Sequence, residues 1–216
     1  MKVRVAIPCY DRSVTCETVR CLLVEQGVAA SAGVHLDVAF LPGCSLIAHA
    51  RNQCVRDFIV SDADRLFFLD ADVAWQPGEL LKLAASDKDF IGGAYRYKQD
   101  VEGYPVAHIG GEPEPATGLI PVGVVPGGFM SLSRDVFSRL FGAYRARGQY
   151  TFAGQNFFAF FHCPPGDGED GAFCRDWREI GQTVWLDPHL TLTHVDAAGR
   201  KFTGCIGEWL KGKTNG

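Results

Sequence analysis

The chain has 216 residues, 47% of them hydrophobic and 21% charged, with a formal net charge of −4. That length suits one domain with a sizeable core, and the composition is that of an ordinary globular protein. The mildly acidic balance excludes a nonspecific nucleic-acid binder that works by phosphate neutralisation, and leaves room only for a local basic groove.

No stretch approaches the ~20 apolar residues that span a bilayer. The opening MKVRVAIPCYDR does not have the form of a signal peptide, because Arg4 breaks its apolar run and Pro8 ends it. The eight cysteines form no CxxC pair. They are expected as reduced thiols in a cytoplasmic protein.

In chain order, VRVAIP (3–8) is a β-rich run stopped by Pro8. TCETVRCLLVEQG (15–27) predicts a helix, with Thr15 as cap and Gly27 past its end. HLDVAFLPG (35–43) alternates and then turns. SLIAHARNQCVRDFIVS (45–61) predicts a helix capped by Ser45, with Ile47, Ala50, Cys54 and Phe58 on one face. RLFFLD (65–70) has the nearly unbroken apolar character of a strand buried on both faces. Pro77 opens a short helix in PGELLKLAAS. DFIGGAY (89–95) is a further strand.

Strands alternating with helices imply βαβ units and a largely parallel sheet. The second half is less regular. It holds Gly/Pro-rich stretches over 103–128, the strand-like GGFMSLS followed by the helix RDVFSRLF, and the aromatic run YTFAGQNFFAFF. After the loop CPPGDGEDG come a helix in AFCRDWREIG and a strand in TVWLD, with Trp177 and Trp185 expected in the core. The tail KGKTNG is expected to fray.

The tripeptide Asp-Ala-Asp occurs twice, at 62–64 and 70–72, on either side of the 65–70 strand. In open α/β sheets ligands bind beyond the carboxyl ends of the strands. That polarity selects Asp70 and Asp72 as the candidate site and leaves Asp62 and Asp64 as a solvated turn. Paired carboxylates suit a hard divalent cation shared with phosphate oxygens.

The Asp pair has company in a fixed order: IPCYDR (7–12), ARN (50–52), GGAYRYK (92–98), GGFM (127–130), GEDGAFC (168–174) and WLDPHLTLTHV (185–195). This series, spanning roughly residues 3–205, resembles the nucleotide-sugar-dependent glycosyltransferases of GT-A fold, particularly family-2-like enzymes. The resemblance implies an α/β fold with a Rossmann-like, mixed and mostly parallel sheet flanked by helices. It implies a single catalytic domain, with a nucleotide-binding half (1–100), an acceptor half (101–210) and a flexible tail (211–216).

It further implies a UDP-sugar donor and Mn²⁺ or Mg²⁺. Pro8, Tyr10 and Arg12 would border the nucleotide, and Arg51, Asp70 and Lys98 would contact the donor. Asp72 would ligate the metal with His194, and with Asp70 directly or through water. Gly127 and Gly128 would let the backbone approach the transferred sugar. Asp170, or second Glu169, would act as general base in an inverting transfer. Retention of configuration, nucleotidyl transfer and a non-catalytic nucleotide-sugar-binding module are the alternatives. The absence of Gly from IPCYDRS argues against many nucleotidyltransferases. The acceptor and the oligomeric state are left open.

Overall fold

The computed structural model describes residues 1–107, 109–146 and 148–214. His108 lies outside them. The elements in order are β1 (Lys2–Cys9), α1 (Cys16–Ser31), β2 (His35–Pro42), α2 (Ile47–Ile59), β3 (Arg65–Leu69), β4 (Val73–Ala74), α3 (Glu79–Ala84) and β5 (Phe90–Gly92). There follow β6 (Ile120–Val122), β7 (Phe129–Ser133), α4 (Arg134–Tyr144), β8 (Gln149–Phe152), β9 (Gln155–Phe158), α5 (Glu169–Glu179), β10 (Val184–Leu186), β11 (Leu192–Val195), β12 (Lys201–Gly204) and α6 (Ile206–Thr214).

Seven strands form the central sheet in the order β2-β1-β3-β7-β5-β10-β6. β1 pairs in parallel with β2 and β3, and β5 with β10, while β7 and β6 pair antiparallel to their neighbours. Five strands therefore share one direction and two oppose it. β3 is buried along its whole length, as its apolar run requires. Its alternation divides the core. Leu66 and Phe68 join the cluster under α2, α4 and α5, and Phe67 and Leu69 join the cluster under α1 and α3.

Several boundaries differ from the sequence reading, each for a local reason. Thr15 does cap α1, accepting from Thr18 N at 3.3 Å. The helix then runs through Gly27 to Ser31, because Gly27 faces open space while Ala29 beyond it is fully buried. The stop comes at Gly33 (φ +69), with Val34 N bonded back to Ala29 O. Ser45 does not cap α2, whose N-cap is Leu46 with no side-chain bond. α3 starts after Gly78, which takes a left-handed φ of 89°. Buried Glu25 accepts from Gly78 N, Leu81 N and Trp75 Nε1 and so anchors this short helix. The aromatic run of the second half is a two-stranded hairpin of β8 and β9.

Residues 211–214 continue α6. Among the described residues no helix is long and apolar enough to cross a membrane. All eight cysteines are free thiols.

Candidate active site at the carboxyl edge of the sheet

Two pairings assemble the site. β3 ends at Leu69, opposite Phe129 at the start of antiparallel β7. The Gly127–Gly128 pair therefore arrives beside Asp70, whose amide donates to Gly128 O at 2.9 Å. β4 begins one residue after Asp72 and pairs with β11, setting His194 opposite Val73. Val195 N donates to Asp72 O at 2.9 Å, so Asp72 and His194 sit side by side.

The first cluster centres on Arg51, which is only 3% exposed. Its Nη2 donates to Asp70 Oδ1 at 3.2 Å, its Nε to Glu169 Oε1 at 3.3 Å and its Nη1 to Gly127 O at 2.9 Å. The guanidinium also lies over the Phe68 ring, 5.1 Å from its centroid. Burial alone would lower the Arg51 pKa, but Asp70 and Glu169 reverse that and raise it. The cation is therefore permanent.

Tyr95, 7% exposed, donates its hydroxyl to Asp70 Oδ2 at 2.8 Å. Burial first and Asp70 second raise its pKa well above the ordinary value, so it remains a donor. Both carboxylate oxygens of Asp70 are thus engaged. A Cβ at Gly128 would come within 2.0 Å of Oδ2.

The second cluster holds Asp72, His194 and Lys98. His194 Nε2 lies 3.4 Å from Asp72 Oδ1, and Lys98 Nζ lies 2.5 Å from Asp72 Oδ2. His194 Nδ1 is 3.0 Å from Arg96 O. A carbonyl can only accept, so Nδ1 carries the proton. In the neutral ring, Nε2 then turns a lone pair toward a carboxylate oxygen. A proton on Nε2, which makes the pair a bonded imidazolium and carboxylate, or a cation can occupy the space between the two atoms.

Burial pushes the Asp72 carboxyl up, but the bonds from His194 and Lys98 outweigh it and hold the pKa below the usual carboxylate range. The Tyr95 ring packs against His194 with centroids 4.7 Å apart and so joins the two clusters.

These residues fit a cation in part. Asp72 and His194 offer a carboxylate oxygen and an imidazole nitrogen oriented from behind by a backbone carbonyl. Asp70 is turned to Arg51 and Tyr95 instead. Among the described residues no group of three or more His, Cys, Asp or Glu side chains is gathered for a metal.

Glu169 and Asp170 open α5, as the sequence implies. Glu169 is spent on Arg51. Asp170 accepts from Gly171 N at 2.8 Å and Gly127 N at 3.4 Å, and no cation pairs with it among the described residues.

The loop after β1 is tied to the Asp70–Asp72 turn by Thr15 N to Ala71 O at 2.9 Å. Pro8 sits within β1 beside Leu41, and Tyr10 is 67% exposed at the strand's exit. Arg12, with φ of 64°, lays its guanidinium over Gly43 and joins neither cluster. Asn52 of the ARN segment serves the scaffold, since it exchanges two 2.8 Å bonds with the Phe161 backbone. Asp62 pairs with Lys2 Nζ and Asp64 accepts from Lys2 N, both at the opposite edge of the sheet.

No protein-family model matches the chain, and no curated protein does. Solved structures do. A197 from STIV is 19% identical over 94% of both chains, with a TM-score of 0.60. GalNAc-T7, solved with UDP, GalNAc and Mn²⁺, is 12% identical, with a TM-score of 0.54 over 91% of this chain and 44% of its own. The inositol-1-phosphate CTP transferase from T. maritima is 12% identical over 93% of this chain and 91% of its own, with a TM-score of 0.49. At such identities these likenesses establish the fold alone. The fold is of the GT-A, Rossmann-like type.

Tyr95 is the residue that motif reasoning missed. It stands inside GGAYRYK, but nothing in the sequence marks its hydroxyl as the second ligand of Asp70.

Proposed function

We propose that this chain is a metal-dependent glycosyltransferase of the family-2-like kind, moving a sugar from a UDP-sugar to an acceptor hydroxyl with inversion, in the cytoplasm. The observation that carries the reading is the approach of His194 Nε2 to within 3.4 Å of Asp72 Oδ1, with Nδ1 held from behind by the Arg96 carbonyl, at the edge of a GT-A sheet where ligands gather. A fold relative solved with UDP, GalNAc and Mn²⁺ supports the donor class.

Mn²⁺ or Mg²⁺ bound between Asp72 and His194 would neutralise charge on the donor diphosphate and on the departing UDP. Lys98, half-exposed beside Asp72, turns from the carboxylate to a phosphate oxygen. Arg51 holds Asp70 and Glu169 at fixed positions. Asp70, steadied by Arg51 and Tyr95, would face the ribose or the metal's hydration shell. Tyr10 and Arg12 flank the base and Pro8 shapes their turn.

Because Glu169 is neutralised by Arg51, Asp170 is the base. It takes the hydroxyl proton as the acceptor oxygen attacks the anomeric carbon and UDP leaves with the bonding electron pair. Residues 1–100 serve the donor and 101–210 the acceptor.

The test is a panel of nucleotide sugars incubated with the protein and Mn²⁺, with and without EDTA, scored for binding and for released nucleotide. Chelator-sensitive turnover of one donor is expected. No turnover, together with no chelator-sensitive binding of any donor, overturns the reading.

A further inference from the structure

A cavity of about 540 Å³ lies between the start of α2 and the β8–β9 hairpin. It lies beside the site just described. His49 in its wall precedes Arg51 by two residues on α2. Phe161 in the same wall lies under the Arg51 guanidinium, whose carbon is 5.9 Å from its ring centroid. The cavity therefore borders the Arg51 cluster.

The wall is largely aromatic and aliphatic, and His49 Nδ1, Tyr150 Oη and the Asn52 amide in it are already engaged. His49 Nδ1 and Tyr150 Oη are 2.8 Å apart, and Asn52 also donates to that hydroxyl at 3.4 Å. Asn52 spends its remaining bonds on the Phe161 backbone. The His49 ring packs on Phe152 and Phe157, with centroids at 4.2 and 4.9 Å. The exposed side chains of Leu46 and Phe152 border the opening.

A carbohydrate ring placed here would lose water from several hydroxyls and find few free partners, at a cost of about 1–3 kcal/mol for each buried polar group left unpaired. A flexible alkyl chain would gain burial but lose rotamer freedom. A planar arene gains burial without either cost, and it adds offset or edge contacts with the rings already present.

We infer that this cavity is the acceptor subsite and that it takes an aromatic group of the acceptor, holding it so that the hydroxyl to be modified reaches Asp170. As an acceptor assignment this rests on the transferase reading above, whereas the binding of an arene to the cavity does not.

The test uses 4-methylumbelliferone as arene, with methyl and n-hexyl β-glucoside as polar and alkyl comparators. Cys163 lines the cavity, and exposed Cys16, which is not among the cavity's lining residues, serves as a control. Alkylation of each cysteine is followed by peptide mass spectrometry, and UDP binding with Mn²⁺ is measured on the same samples.

The arene is expected to slow alkylation of Cys163 but not of Cys16. Its affinity is expected to fall at least tenfold in Phe152→Ala and in Leu46→Asp. Both side chains are half-exposed or more, at 50% and 61%, so neither change threatens folding, and UDP binding should be unaltered in both.

The inference is overturned if either glucoside protects Cys163 at a lower concentration than the arene, or if the arene leaves Cys163 unprotected. It is also overturned if both variants bind the arene as wild type does. Arene protection without any nucleotide binding would instead sink the donor reading and leave the aromatic cavity standing. Nucleotide binding without arene protection would sink this inference alone.

Discussion

Gly128→Ala puts a single methyl group at the junction of the two clusters. Gly128 is not among the residues with positive φ, so alanine can adopt its backbone without strain. The effect is therefore purely steric. The new Cβ would stand 2.0 Å from Asp70 Oδ2 and 2.6 Å from Tyr95 Oη, both well short of ordinary contact, which begins near 3.4 Å. A flexible side chain could step aside, but the short Asp70 carboxylate is held on both oxygens by Arg51 and Tyr95.

Moving it strands a buried phenol and weakens one leg of a buried ion pair. The charged hydrogen bond to Tyr95 alone is worth about 1.5–3 kcal/mol. In a domain of this size, that predicts a fall in Tm of about 3–12 °C. A displacement near 1 Å in a positioned site costs on the order of 10²-fold in rate. Differential scanning fluorimetry and Mn²⁺-dependent donor turnover read the two effects.

Gly27→Ala is the matched control. It lies inside α1 with nothing within 4 Å of the new methyl, and it should stabilise the fold by about 0.5–1 kcal/mol. If Gly128→Ala keeps wild-type Tm and donor binding, the geometry given for Asp70 is wrong.

The two acidic tripeptides should separate cleanly. Asp72→Ala is expected to abolish metal-dependent UDP binding by calorimetry, while Asp62→Ala and Asp64→Ala leave it within twofold; equal losses at both ends would reject the strand polarity. The two acids of α5 should separate as well. Asp170→Asn is expected to lower kcat by about 10²–10⁴-fold with donor affinity kept. Glu169→Gln, which deprives buried Arg51 of a charge partner, should act first on thermal stability, and the reverse pattern would exchange their roles. Burial pushes the Cys54 and Cys174 thiols up to about 12. At pH 8 their thiolate fraction is on the order of 10⁻⁴. Iodoacetamide should therefore label exposed Cys16 and spare both in the folded protein, and labelling of either at the rate of Cys16 would contradict that burial.

Much of the first half is legible in the chain because its signals are local. The apolar run of β3, the Thr15 cap and the helical spacing of Ala50, Cys54 and Phe58 all act within a few residues, and each has its counterpart in the structure, whereas Ile47 at the start of α2 is left exposed. Boundaries failed where packing outweighed a local signal. α1 passes through Gly27 because burial of Ala29 outweighs one glycine's helix penalty. The short strands β4, β6 and β12 are too brief to carry a period of their own and exist only because a partner strand is there.

What the sequence determined by itself was a set of chemical types in order: paired acids after a buried strand, an arginine on the preceding helix, acids opening a later helix and a histidine at a late strand. Strand polarity even told the two Asp-Ala-Asp copies apart, since the direction of a strand is written in its neighbours. Only the tertiary structure decided which of these residues touch. The antiparallel return of β7 brings Gly128 against Asp70, and the pairing of β11 with β4 brings His194 to Asp72. Those contacts span 58 and 122 residues along the chain. They depend on sheet order and register, which hydrophobic burial over the whole domain selects and no short stretch encodes.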